Sequence, residues 1–198
     1  MEVSLEKQYP VAAGLEAAWQ VLSNVSELAT CMPGAQVTEQ LDAAHYRGSV
    51  KVKVGPAVAS FSGTIEVLAL DPQANTIRLA GKGADKGGSS ASMELTASLV
   101  AVDAQSSTLK GKADVIVNGK FAQFGGRMMG SVSDMILVQF AEVFSQKAQA
   151  IQRISEPATE GVTTTAAAPP VAAREFNALA LVWAMTRNFF ARLFGQKS

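Results

Sequence analysis

Residues 45–121 alternate between apolar and polar side chains with a period of two, and this pattern constrains the fold more than any other feature. Such alternation is typical of strands that have one face in the core and one in water. Short turns, such as residues 71–74, separate the alternating segments. The pattern therefore predicts an antiparallel sheet with one apolar face, which another element must cover.

The segments on either side of this sheet supply one strand and the helices. We predict a strand over residues 2–9, ended by Pro10, and short helices over residues 14–24 and 25–30. Residues 123–154 carry apolar side chains over about half of a helical circumference, which is typical of a long amphipathic helix. The expected fold is α+β, with a curved antiparallel sheet of about seven strands around this helix.

Small residues dominate the predicted inward face of the sheet, and no charge occurs among them. They are Gly48, Gly63, Gly81, Gly111, Ala91, Ala97 and Ala113, with Phe61 as the main bulky side chain. Glycines let a sheet bend sharply and leave space beside it. Two interpretations stay open, an apolar cavity for an apolar guest and a filled core.

If the cavity exists, its lining follows from the inward strand positions and the facing side of the long helix. The predicted ligand-binding residues are Val50, Val52, Phe61, Ile65, Met93, Leu95, Val115, Phe124, Met128, Val132 and Met135. The methionines suit this role because their flexible side chains adapt to irregular apolar shapes.

Residues that could carry out catalysis are scarce. His45 is the single histidine, which excludes a histidine cluster for a metal, and Cys31 is the single cysteine, which excludes an internal disulfide. The glycine-rich segment 83–90 lies between strands, so no helix N-terminus follows it to bind a phosphate. We predict a protein that is not an enzyme, with no catalytic residue, no metal and no covalent cofactor.

Charge and cysteine usage bear on partners and location. Without residues 174–198 the chain has more acidic than basic side chains, which argues against nucleic acid as a partner. The single cysteine fits a reducing compartment, and the first ten residues lack the apolar region of a signal peptide. These features predict a cytoplasmic protein.

Beyond the domain predicted for residues 1–154, we predict a flexible linker (155–173) and an amphipathic helix (174–198). The uncharged run 176–186 is shorter than the ~20 residues that span a bilayer, so this helix should lie on the inner face of the cell membrane. Its membrane-facing residues would be Phe176, Leu179, Val182, Trp183, Phe189, Phe190, Leu193 and Phe194. The alternative is a helix that docks on its own domain or on a partner protein.

Several short motifs occur in order along residues 1–154. They are Trp19-x-x-Leu22-Ser23-Asn24, Leu28-Ala29-x-Cys31-x-Pro33-Gly34, Phe61-Ser62-Gly63, Gly83-x-Asp85-x-Gly87-Gly88-Ser89 and Gly119-Lys120-Phe121-Ala122-Gln123-Phe124-Gly125-x-Arg127. As an ordered set they resemble the carbon monoxide dehydrogenase CoxG family, which belongs to the START/Bet v 1-like (SRPBCC) superfamily. The resemblance implies the helix-grip fold, in which a curved antiparallel sheet wraps a long C-terminal helix.

The resemblance also implies partners and a ligand. CoxG proteins accompany molybdenum-containing carbon monoxide dehydrogenases and related molybdenum hydroxylases, and they are thought to link that enzyme to the membrane. A respiratory quinone, menaquinone or ubiquinone, would occupy the cavity. The resulting hypothesis is a membrane-associated quinone carrier, and the alternative is a membrane-recruitment adaptor with no ligand-carrying role. An enzyme on the same scaffold is a third hypothesis, which lacks a convergent polar pair.

Two turn-rich segments are predicted to form a partner-facing rim at the mouth of the cavity. Their residues are Cys31, Pro33 and Gly34 in the first segment and Asp85, Lys86, Gly87 and Gly88 in the second. Both segments lie where the chain reverses, and both are rich in Pro or Gly. The alternative is a pair of ordinary turns.

Overall fold

The computed structural model describes residues 1–54 and 57–155, which form one antiparallel sheet covered by helices. The strands are β1 (Glu2–Val11), β2 (Ala35–Gln40), β3 (His45–Val54), β4 (Ala57–Asp71), β5 (Thr76–Asp85), β6 (Ser90–Asp103) and β7 (Ser106–Asn118). The helices are α1 (Leu15–Leu22), α2 (Val25–Cys31) and α3 (Gly125–Ser155). The seven strands lie in the order β1-β7-β6-β5-β4-β3-β2. The α+β helix-grip prediction is confirmed.

The predicted linker and amphipathic helix fall outside this part of the chain, apart from Ser155, which ends α3. Their proposed roles therefore stay predictions.

The edge strand β1 continues beyond its predicted end at Tyr9, through Pro10 to Val11. Proline has no N–H to donate, but β1 pairs on one side only, with β7, so an edge position tolerates it. Val11 is fully buried in the main core. The prediction that Pro10 ends the strand is therefore wrong.

The C-terminal half of α3 is fastened to the connection between β1 and α1. The Gly14 N–H donates to Gln152 Oε1 at 2.6 Å, and the Ala12 N–H donates to Ser145 Oγ at 3.0 Å. Phe144 of α3 is fully buried in the same region. These contacts place the main core between the short helices, this half of α3 and the sheet.

The chain leaves the sheet earlier than the alternation predicts. β7 ends at Asn118, because Gly119 has φ +81° and Lys120–Phe124 forms a short 3-10 helix. Phe121 is buried, with its ring centroid 5.8 Å from that of Phe61 and 6.0 Å from that of Phe124. This aromatic group belongs to a second, smaller apolar cluster at the end of the sheet where α3 begins.

Candidate functional site

A cavity of about 390 Å³ lies against the inward face of the sheet and is partly open to solvent. Every strand contributes to its lining, Leu22 and Leu28 close it from the short helices, and Leu137 and Phe140 close it from α3. The volume lies within the range of about 300–1,000 Å³ that is typical of small-molecule sites. Of the two interpretations of the inward face, the structure supports the cavity.

The glycines of the inward face do two different things. Gly111 leaves space, because no atom lies within 4 Å of the position that a Cβ would take. Gly48, Gly63 and Gly83 instead lie opposite one another across β3, β4 and β5. A Cβ on Gly63 would stand 2.6 Å from Gly83 Cα and would also collide with the Lys82 carbonyl oxygen. This row therefore allows backbones to approach closely where the sheet bends.

The structure brings part of the predicted ligand-binding set together. The members that line the cavity are Val50, Phe61, Ile65, Met93, Leu95 and Val115. The members outside the lining are Val52, Phe124, Met128, Val132 and Met135. Val52 pairs with Ala59 of the second cluster, and Phe124 stacks on Phe121. Ligand binding by the lining residues stays a prediction.

The prediction that Met128, Val132 and Met135 face the cavity from the long helix is wrong. Met128 is 41% exposed and Met135 is 54% exposed, while Val132 is half-buried outside the lining. The cause is position along the axis, since α3 closes the cavity only from Leu137 and Phe140. The apolar stripe covers half of the helix along its whole length, so it could not mark which turns meet the sheet.

The lining also contains residues that the sequence pattern did not single out, above all Leu5, Lys7 and Tyr9 on β1. Their alternation along the strand was the available signal. Lys7 corrects the expectation of an inward face without charge. Its Nζ lies 2.9 Å from Asp134 Oδ1 of α3. The hydrogen bond to Asp134 and then the charge of that carboxylate raise the pKa of Lys7, so its ammonium stays protonated at neutral pH.

The first rim segment turns out to be partly internal. Cys31 is 1% exposed, and its Sγ–H donates to the Glu27 carbonyl oxygen at 3.5 Å. Burial raises the pKa of the Cys31 thiol, which keeps it protonated and unreactive. The prediction that Cys31 faces a partner is therefore wrong. Pro33 is half-buried and Gly34 is exposed, so their role at a rim stays a prediction.

In the second rim segment the Asp85 side chain is only 7% exposed and is used internally. Its Oδ1 accepts the Ser89 N–H at 2.9 Å, and its Oδ2 lies 3.2 Å from Lys120 Nζ. These groups, the Ser89 N–H first, lower the pKa of Asp85. Asp85 thus stabilises the turn and does not present its carboxylate to a partner, contrary to the prediction. Lys86, Gly87 and Gly88 are exposed, and their partner contact stays a prediction.

The strand register places both rim segments at one end of the sheet. Ala35, which follows the first segment, pairs with Val50, Val50 pairs with Phe61, and Phe61 pairs with Asp85. The rim is thus one region of the molecule, and it adjoins the second apolar cluster.

Other polar groups of the described chain lie away from the lining. His45 is an exposed surface residue whose Nδ1 lies 2.9 Å from Asp42 Oδ1, and the hydrogen bond to Asp42 raises the pKa of His45. Within residues 1–54 and 57–155, no three His, Cys, Asp or Glu side chains gather as metal ligands. None of the helices in these ranges has the length and apolar character needed to cross a bilayer.

Residues 8–149 match the family of CoxG, a carbon monoxide dehydrogenase component. The chain belongs to the CoxG family. This match covers most of the residues that carry the motifs, so the family predicted from them is confirmed. A comparison of this CoxG protein with curated proteins finds no match.

Solved structures share the fold of this CoxG protein. A conserved protein from Geobacillus kaustophilus is 19% identical with a TM-score of 0.68, covering 75% of this chain and 96% of its own. The Zhui aromatase/cyclase from Streptomyces sp. R1128 is 17% identical with a TM-score of 0.56, covering 82% and 100%. A START superfamily protein from Mycobacterium smegmatis is 14% identical with a TM-score of 0.50, covering 75% and 98%. At these identities the likeness shows the fold alone.

Proposed function

We propose that this CoxG protein is a carrier that holds an apolar ligand in the cavity between its sheet and α3. The observation that carries the proposal is a cavity of about 390 Å³ whose lining is almost wholly apolar. Apolar ligand surface removed from water contributes roughly 25 cal/mol per Å² to such binding. The protein would transport its ligand and leave it chemically unchanged.

A respiratory quinone, menaquinone or ubiquinone, is the ligand that we propose. The cavity accommodates a quinone ring and the first part of an isoprenoid chain, and a longer chain must leave through the open side. The exposed Met128, Met135 and Val138 lie on the same helix as the lining residue Leu137. They offer an apolar surface against which the rest of such a chain can lie.

The partner in this proposal is a molybdenum-containing carbon monoxide dehydrogenase or a related molybdenum hydroxylase, which the family name supports. The bound quinone would take up two electrons and two protons at that enzyme, and the carrier would return the quinol to the respiratory chain. The protein's own part is to enclose the apolar ligand and shield it from water. Its place of work would be the cytoplasmic face of the cell membrane.

Extraction and titration test the carrier. Protein purified from its native host should release an isoprenoid quinone into organic solvent, identified by mass spectrometry. A Trp183→Phe variant leaves Trp19 of α1 as the single tryptophan, and its fluorescence should be quenched saturably by added quinone. Absence of both results would contradict the carrier and would favour the adaptor with no ligand-carrying role.

Residues 174–198 should provide the membrane attachment. We expect the full chain to sediment with vesicles that contain anionic lipid, and a chain ending at Ser155 to remain in the supernatant. Each Lys or Arg near an anionic surface adds ~1 kcal/mol, and buried Phe and Trp side chains add more. Co-sedimentation of both chains to the same extent would rule out this role for the segment. Thermal melting of the two chains provides the control for folding.

A further inference from the structure

The strand β1 brings polar side chains to the inward face of an otherwise apolar cavity. Leu5, Lys7 and Tyr9 alternate along it, and all three belong to the lining. Polar residues of other strands that reach the lining, such as Ser62 and Lys82, occupy outward positions between inward glycines and apolar residues. By this alternation, β1 is where side-chain hydrogen-bond donors enter the described sheet lining.

Space for a ligand lies directly beside Lys7. Lys7 pairs in register with Gly111 of β7, and Gly111 pairs with Ala97 of β6. No atom lies within 4 Å of a Cβ placed on Gly111. Tyr9 lies two residues further along the same face. A molecule in this space would therefore contact the side of β1 that carries both donors.

Charge decides what kind of polar group suits this place. The Lys7 ammonium has three N–H donors, and one of them faces Asp134 Oδ1 at 2.9 Å. The others can donate to a further acceptor. Because Asp134 already neutralises Lys7, a ligand carboxylate would meet the negative charge of Asp134, whereas a neutral carbonyl oxygen would not.

We propose that Lys7 and Tyr9 form a polar subsite that selects neutral, carbonyl-bearing apolar ligands over fatty-acid-like anions and over plain hydrocarbons. This inference rests on the proposed carrier function and specifies its ligand class. The Lys7 ammonium donates to a carbonyl oxygen of the head group, the Tyr9 hydroxyl is the second donor, and Asp134 keeps the subsite neutral. The partly exposed Lys7 and Asp134 side chains place the subsite where the cavity meets solvent.

Matched probes that share one ring system separate these contributions. We would titrate the full chain with 2,3-dimethyl-1,4-naphthoquinone, with 2,3-dimethylnaphthalene and with 2-naphthoate, and measure each affinity by calorimetry. Lys7→Met keeps the apolar stem and removes the donor, so quinone affinity should fall about fivefold while dimethylnaphthalene affinity stays constant. Asp134→Asn should raise 2-naphthoate affinity about fivefold, because the pair is then positive and partly exposed. Lys112→Met, on the outward face of β7, should change neither affinity.

The outcomes distinguish the subsite from the carrier. If Lys7→Met binds the naphthoquinone as the wild type does and Asp134→Asn gains no naphthoate affinity, the subsite is overturned and the carrier stands. If the wild type binds neither the quinone nor the naphthalene, both proposals fail. Asp134 is exposed on α3, so Asp134→Asn tests the charge argument even if Lys7→Met does not fold.

Discussion

Gly63→Ala should destabilise the domain by about 3 kcal/mol, whereas Gly111→Ala should leave its stability unchanged or raise it by about 0.5 kcal/mol. A Cβ on Gly63 would stand 2.6 Å from Gly83 Cα and would overlap the Lys82 carbonyl oxygen, both in the backbone of β5. Backbone cannot yield as a flexible side chain can, so the strands would have to separate. A Cβ on Gly111 meets nothing within 4 Å.

Urea unfolding followed by circular dichroism measures this difference. The two variants form a matched pair, because both add one methyl group to an inward glycine of the same sheet. Equal unfolding midpoints would contradict the close approach of β4 and β5 at this row. Loss of stability in Gly111→Ala would contradict the open space beside β7.

Gly111→Leu should abolish or strongly weaken ligand binding while the domain stays folded. The new side chain would occupy the space between Lys7 and Ala97, on the inward face of the cavity. A mismatch of a single methylene in an apolar pocket already costs about tenfold or more in affinity, and leucine adds a larger group. Titration of the variant with quinone, and solvent extraction of the variant purified from the native host, measure the loss.

Lys112→Leu is the matched control for this experiment. It places the same side chain one residue further along β7, where alternation turns it to the exposed outward face. We expect this control to bind and to release quinone as the wild type does. Quinone affinity of Gly111→Leu equal to that of Lys112→Leu would show that the ligand does not occupy the cavity.

The two glycines illustrate how much of the site can be derived from sequence. Alternation around Gly63 and Gly111 correctly places both on the inward face, because side chains of a strand change face at every residue. It cannot tell close backbone approach from empty space. That distinction depends on the bend of the sheet, which the neighbouring strands produce together.

Residues with special chemistry show the same limit. Cys31 and Asp85 occur in motifs rich in Pro and Gly, which predict turns correctly. Whether a turn side chain points to solvent or caps its own loop depends on local contacts. Asp85 is drawn inward by the Ser89 N–H and by Lys120, which comes from the far end of β7.

Sequence alone determined the order of the elements, the antiparallel sheet with its inward face, the long helix and the CoxG family. These follow from local periodicity and from ordered motifs, and neither needs knowledge of distant contacts. Only the tertiary structure decided where the cavity lies and what lines it. The start of α3 after Gly125 and its attachment through Gln152 leave Met128 and Met135 exposed and bring Phe140 to the cavity. The position of a helix along a sheet is set by such non-local packing, and helical periodicity carries no record of it.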